Sequence, residues 1–74
     1  METRAIEGRA PGTHEIPSVP GKVPVYVISH SGDSVYFPVD DITNDTVESK
    51  ISSRVIGPVE FNATVVYRTD KSVS

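Results

Sequence analysis

The chain has 74 residues, a net charge of −3 at neutral pH and no cysteine. A chain of this length forms at most one small domain, and without cysteine it has neither disulfides nor thiolate metal ligands. Its acidic balance offers no basic surface for nucleic acid, and it has no apolar stretch typical of a transmembrane helix or a signal peptide. We therefore predict no nucleic-acid or membrane partner and leave its location open between a virion and the cytoplasm.

The apolar composition favours β-structure. Leucine is absent, whereas valine, isoleucine and threonine together supply 24 of the 74 residues. Side chains branched at Cβ lose χ1 freedom in a helix but pack well on the surface of a sheet. The composition therefore predicts an all-β fold, a small antiparallel meander or sandwich of three to four strands.

The first 21 residues differ in character from the rest of the chain. They hold three of the six prolines and three of the five glycines, and each proline biases the preceding residue towards extended conformations. We interpret residues 1–21 as an extended N-terminal arm without a core of its own, followed by a small β domain over residues 22–74. Within this arm, Ile6-Glu7-Gly8-Arg9 resembles the tetrapeptide recognised by the blood-clotting protease factor Xa, and it is either an engineered cleavage site or a natural match.

An alternation of period two begins after Lys22 and predicts a β-hairpin. Residues 23–28 and 34–39 are rich in valine and aromatic side chains, and a glycine-containing loop separates them. A three-residue loop would pair Val27 with Phe37 and gather the valines on one face. Three large side chains would then share the opposite face: Tyr26, Ile28 and Tyr36.

Two further segments complete the predicted sheet. The apolar residues of segment 47–56 fit a strand, but their spacing of four also fits a short helix near residues 44–54, which would make the fold α+β. Several serines and the absence of alanine and leucine favour the strand. Apolar side chains occupy every second position from residue 59 to residue 67, which predicts a strand with one buried and one wet face.

The sequence contains no motif that matches a catalytic or metal site. Neither His14 nor His30 lies in a zinc-binding motif, and the acidic cluster 40–45 lacks the glycine of a calcium-binding EF-hand loop. Neither a Gly-x-Ser-x-Gly elbow nor a glycine-rich phosphate loop occurs. We therefore expect no enzymatic activity, no metal and no cofactor.

Two parts of the sequence are candidates for binding another protein. Residues 17–22 match the Pro-x-x-Pro-x-basic pattern that SH3 domains bind as a polyproline-II helix. The second is the apolar face opposite the valines, because one small sheet cannot cover both of its faces without a partner or a second copy. The candidate interaction residues are Tyr26, Ile28, Tyr36, Pro17, Pro20 and Lys22.

These features favour a non-enzymatic structural or interaction protein. We expect a small β module that docks on or decorates a larger assembly, for example a viral or phage particle, by means of its N-terminal arm. The alternative is a small acidic inhibitor or adaptor that binds one host protein. The two hypotheses differ in the use of residues 1–21, since only the first requires them for binding.

Overall fold

The computed structural model describes residues 2–71, and the predicted all-β fold is confirmed. These residues contain no α-helix. Met1 of the predicted arm and residues 72–74 of the predicted β domain lie outside the described residues. Strands and two single-turn 3-10 helices follow in the order β1 (Glu2–Ala10), β2 (Gly12–Glu15), β3 (Lys22–Ser29), a first 3-10 turn (Gly32–Ser34), β4 (Val35–Tyr36), a second 3-10 turn (Val39–Asp41), β5 (Thr46–Ile51) and β6 (Val59–Thr69).

The six strands form two antiparallel sheets with equivalent strand orders. The first sheet has the order β1-β6-β3 and the second the order β2-β5-β4. Strands at equivalent positions are consecutive in the sequence: β1 with β2, β5 with β6, and β3 with β4. The second sheet therefore continues the first beyond a bend. Pro11, residues 30–34 and residues 52–58 form this bend, and the peptide bond that precedes Pro11 is cis.

One core lies between the inner faces of the two sheets. It joins alternate residues of β6 to residues of the other strands: Phe61, Ala63, Val65 and Tyr67 on β6, Val27 on β3, Val35 on β4 and Val47 on β5. Phe61 and Phe37 pack edge to face with ring centroids 5.2 Å apart, an arrangement that the charge distribution of aromatic rings favours. The predicted strand over residues 59–67, with one face buried, is therefore confirmed.

The N-terminal segment is not the free arm that its composition predicted. β1 pairs with β6 along its whole length, from Glu2 opposite Tyr67 to Ala10 opposite Val59, and β2 pairs with β5. β1 forms with few apolar residues because it is an edge strand, and among the described strands it has one neighbour in the sheet, β6. Residues 2–15 therefore belong to the same fold as the domain predicted to begin at residue 22.

The connection between β2 and β3 covers part of the first sheet. Ile16 and Val19 are buried in the core, and the Tyr67 hydroxyl donates a hydrogen bond to the Pro17 carbonyl oxygen. The Ile16 amide donates to the Asp45 carbonyl oxygen at 2.8 Å. Burial raises the pKa of Tyr67 above its ordinary value. These contacts tie residues 16–19 to both sheets, so this part of the predicted arm has a share in the core.

The predicted hairpin between residues 23–28 and 34–39 does not form. β3 pairs with β6, whereas β4 pairs with β5 and is only two residues long. The first 3-10 turn directs the chain into the second sheet, and Pro38 lacks the amide that a longer ladder would need. Alternation identifies the buried face of a strand but not its neighbour, so the predicted register of Val27 opposite Phe37 is wrong, although both side chains reach the core.

Segment 47–56 is a strand in its first half. β5 covers Thr46–Ile51, with Val47 and Ser49 buried, so the strand prediction is confirmed there and the helix near residues 44–54 does not form. Residues 52–58 are the loop at the bend, and Ile56 in this loop is fully exposed. Serine side chains that compete for backbone hydrogen bonds favour such a loop over a helix.

Candidate functional site: two outer sheet faces

One pair of side chains has the residue types of a nucleophile and its base. His14 Nε2 on β2 lies 2.8 Å from Ser49 Oγ on β5, and Ser49 Oγ donates a hydrogen bond to the Gly12 carbonyl oxygen at 3.1 Å. Because a hydroxyl has a single proton, Ser49 must accept its second bond from an N–H of the histidine. The histidine is thus the donor in this pair.

The surroundings of the pair fit a structural role. Ser49 is completely buried, whereas a nucleophilic serine needs access to a substrate and a base that takes its proton. The imidazole packs edge to face on Phe61 with centroids 4.8 Å apart. It also lies against Gly8, where an added Cβ would be only 2.9 Å from His14 Nδ1. The arrangement fastens β2 to β5 and requires a glycine on β1.

The second histidine and the acidic cluster also contact other side chains. His30 Nε2 lies 2.8 Å from Thr64 Oγ1, and Asp41 Oδ2 lies 3.0 Å from Lys50 Nζ. The hydrogen bond and charge of Asp41 raise the pKa of Lys50. Across residues 2–71, no three histidine, aspartate or glutamate side chains are grouped as metal ligands. The same part of the chain has no helix long and apolar enough to span a membrane.

The outer face of the first sheet carries large exposed side chains. Tyr26 and Ile28 on the edge strand β3 are 42% and 44% exposed. A register shift after Pro24 sets them opposite Val66 and Thr64 of β6, on the face away from the core. Val66 is only 3% exposed although it lies outside the core cluster, so it forms the apolar centre of this face. We call Tyr26, Ile28 and Val66 the first-sheet patch.

The outer face of the second sheet carries Tyr36, which is 50% exposed and pairs with Lys50 of β5. The following 3-10 turn borders this face, because its Asp41 reaches Lys50. Val39 in the same turn is also exposed. We call Tyr36 and Val39 the second-sheet patch. The expectation that Tyr36 shares a face with Tyr26 depended on the hairpin and is wrong. Tyr26 and Tyr36 lie on different sheets, each on the face away from the common core.

The predicted residues of the proline-rich segment lie in the connection between β2 and β3. Pro17 and Pro20 are both exposed, although the Pro17 carbonyl oxygen is bonded to Tyr67. Lys22 is the first residue of β3, and its Nζ donates to Thr69 Oγ1 at 3.2 Å. The proline rings are thus accessible while the lysine bonds within the fold, and recognition of this segment by a partner stays a prediction.

Charge is distributed unequally between the two sheets. Residues 12–15 and 30–51, which build the second sheet and its turns, hold six acidic side chains against one lysine, for a net charge of −5. Residues 2–10, 22–29 and 59–71, which build the first sheet, hold five basic and four acidic side chains, for a net charge of +1. Arg54 in the bend accounts for the remaining charge. The net charge of −3 therefore arises from the residues of the second sheet and its turns.

An open depression of about 500 Å³ lies on the first sheet close to the bend. It is lined by Glu7, Gly8, Arg9, Glu60 and Phe61. Arg9 and Glu60 form an exposed ion pair with a separation of 3.6 Å between nitrogen and oxygen. Because it is open and polar, the depression lacks the apolar enclosure that small-molecule sites generally have.

Sequence reasoning missed two members of the patches, Val66 and Val39. The Val65-Val66 doublet interrupts the alternation of β6 and was the available signal for an apolar residue on the outer face. The predicted hairpin places Val39 at the end of a strand with its side chain on the buried face. The turn-forming residues that begin at Asp40 end this strand but do not by themselves show that Val39 belongs to the turn.

Comparisons with known proteins give no further indication of function. No protein-family model matches the chain. Comparison with curated proteins finds no significant match, and comparison with solved structures finds none either.

Proposed function

We propose that the chain is a non-enzymatic protein-binding module that docks on a larger assembly, such as a viral or phage particle, through the outer face of its first sheet. The observation that carries this proposal is the first-sheet patch, where Tyr26 and Ile28 stand exposed beside the buried Val66. Tyrosine is enriched at the energetic centres of interfaces, since its ring is buried while its hydroxyl can reach a wet rim.

The contact is assigned to a sheet face because residues 2–15 are strands of the fold. The backbone of β1 is already hydrogen-bonded to β6. To bind a neighbouring protein as an extended arm, β1 would first have to separate from β6. A preformed sheet face needs no such ordering step, which lowers the entropic cost of binding.

The test measures binding of the purified protein to particles enriched from its native source, by co-sedimentation at low nanomolar protein concentration. Tyr26→Ala should weaken binding at least tenfold with little change in melting temperature, because its ring is largely outside the core. Tyr36→Ala, a matched loss of an equally exposed tyrosine on the other sheet, should bind as the wild type does. Unchanged binding of Tyr26→Ala would disprove the proposal.

The alternative, a small acidic inhibitor or adaptor that binds one host protein, is favoured by a different observation. The second-sheet patch lies in the part of the chain with a net charge of −5, and an acidic surface with an exposed tyrosine suits a basic site on a partner. The same two variants separate the candidates. Loss of binding in Tyr36→Ala with retention in Tyr26→Ala would favour the inhibitor or adaptor.

A further inference from the structure

We propose that the peptide bond between Arg54 and Val55 is a cleavage site for an arginine-specific endoprotease, and that the two pieces remain in one fold after the cut. The bond lies in residues 52–58, which join β5 to β6 at the bend; we call this segment the bend loop. Two observations carry the inference: Arg54 is exposed in a segment outside the core, and the strands on both sides of this segment are paired with other strands. The inference goes beyond the proposed function and does not depend on it.

Arg54 differs from the other three arginines of the chain in its position. Arg4 and Arg9 lie in β1 and Arg68 lies in β6, where neighbouring strands pair with them. Arg54 lies in no strand, and its side chain is exposed. Ile56, two residues later, is 100% exposed. An endoprotease contacts residues on both sides of the bond that it cuts, so exposure on both sides favours cleavage in this loop.

The bend loop opens at small cost. Within it, the Val55 amide donates to the Ser52 carbonyl oxygen at 3.0 Å and the Arg54 amide to Ser52 Oγ at 3.4 Å. The Ser52 amide donates to the Ser34 carbonyl oxygen at 3.0 Å. A protease binds its substrate as an extended strand, so the turn at Arg54 must open first. Because residues 52–58 lie outside the core cluster, this opening exposes little buried apolar surface and has a low free energy.

The arginine determines the class of protease. Its guanidinium keeps its charge at physiological pH and pairs with a carboxylate through two parallel hydrogen bonds. The matching enzyme therefore has a carboxylate in the pocket for the residue before the cut, as trypsin does. Hydrolysis adds the hydroxyl of a water molecule to the Arg54 carbonyl carbon, breaks the bond to the Val55 nitrogen and transfers the remaining proton to that nitrogen. After ionisation, one new end is a carboxylate and the other an ammonium group.

The cut interrupts the chain between β5 and β6 but leaves the strand pairing in place. β6 is the central strand of the first sheet and pairs with both β1 and β3. Its side chains also supply a large part of the core: Phe61, Ala63, Val65 and Tyr67. The piece that begins at Val55 therefore stays bound to the piece that ends at Arg54. Because binding replaces folding within one chain, the stability of the cut protein depends on its concentration.

Cleavage also divides the first-sheet patch between the two pieces. Val66 lies on β6, whereas Tyr26 and Ile28 lie on β3. The patch is complete while the pieces remain together, and it is lost when the piece with β6 dissociates. Cleavage followed by dilution would therefore remove a surface that the uncut chain keeps.

The test is limited digestion of the native protein with trypsin, followed by mass spectrometry. The first cut that separates strands should lie between Arg54 and Val55. The two pieces should elute together from a size-exclusion column in native buffer and separately in urea. Arg54→Gln should keep the melting temperature of the wild type. It should slow the loss of material with all six strands in one piece by about tenfold or more, because the next basic residues lie in paired strands.

Arg68→Gln is the matched control, because Arg68 is also exposed but lies in β6. This variant should be cut after Arg54 at the rate of the wild type. A first strand-separating cut inside a strand would overturn the proposed site, and pieces that elute separately in native buffer would overturn the retained fold. A stable complex of trypsin with the uncut chain would show that the bend loop inhibits the protease, which also overturns the proposal. None of these measurements involves particles, so they are independent of the docking function.

Discussion

The two sheets share one core but differ in how their strands are held. Strands of the first sheet are eight to eleven residues long, and those of the second are two to six. A long strand repeats its side-chain pattern and its ladder bonds many times, so no single residue decides its register. A short strand depends on particular contacts, such as the bond between His14 and Ser49. We therefore expect the first sheet to be the more stable of the two.

The comparison predicts that the largest loss of stability follows from a substitution on the first sheet. Phe61→Ala removes a 4% exposed ring that contacts both His14 and Phe37, so it should lower the free energy of unfolding by about 3–5 kcal/mol. Urea unfolding followed by circular dichroism measures this change. Such a loss is most of the stability of a small domain, so both sheets should unfold together.

Val39→Ala provides the control, because Val39 is exposed and lies outside the core cluster. Its free energy of unfolding should stay within about 0.5 kcal/mol of the wild type. If Phe61→Ala unfolded the first sheet in a separate step and left the second intact, the expected order of stability of the two sheets would be wrong.

A smaller effect is expected from the bond that fastens the second sheet. Ser49→Ala leaves the Gly12 carbonyl oxygen and the donor nitrogen of His14 without their partner in a buried site, so it should cost about 1–3 kcal/mol. Native-state hydrogen exchange should show faster opening of β2 than of β6 in this variant. Ser53→Ala, at an exposed position in the bend, is the matched control and should change neither quantity.

The smallest effect concerns the connection that closes over the first sheet. Tyr67→Phe removes the hydroxyl that donates to Pro17, and at neutral pH it should cost about 1 kcal/mol. The raised pKa of Tyr67 adds a dependence on pH, because the unfolded chain loses this proton near the ordinary value of 10.0 and the folded chain loses it at higher pH. The contribution is therefore complete below about pH 10 and is lost as pH rises through the folded pKa.

Urea unfolding between about pH 9 and pH 11 measures this difference. The wild type should lose stability more steeply than Tyr67→Phe above about pH 10. Lys50, whose pKa Asp41 raises, is present in both proteins and so cancels in the comparison. Parallel profiles would mean that the Tyr67 hydroxyl is not the group that titrates.

The sequence predicted the first sheet better than the second for the same physical reason. The alternation of β6 is long enough to identify both the strand and its buried face. β4 is only two residues long, so its pairing depends on the turn before it rather than on any local pattern. The N-terminal strands have the composition of an arm, because glycine and proline are typical of linkers. In the fold, however, Gly8 makes room for His14, and Pro11 lies between two strands.

The candidate surfaces were predicted in part. Tyr26 and Ile28 are exposed on an outer sheet face, as their alternation with the valines suggested. Their separation from Tyr36 was not predictable, because it depends on which strands are neighbours. The His14–Ser49 bond joins residues 35 positions apart, and without knowledge of the pairing between β2 and β5 no sequence pattern connects them.

The pairing of β1 with β6 also has a consequence for proteolysis. Ile6-Glu7-Gly8-Arg9 lies inside β1, where every residue has a partner on β6. A protease that cleaves after Arg9 needs this segment detached and extended in its own cleft, so the native protein is cut only through transient release of the strand. The rate of cleavage therefore reports the fraction of molecules in which β1 is released from β6.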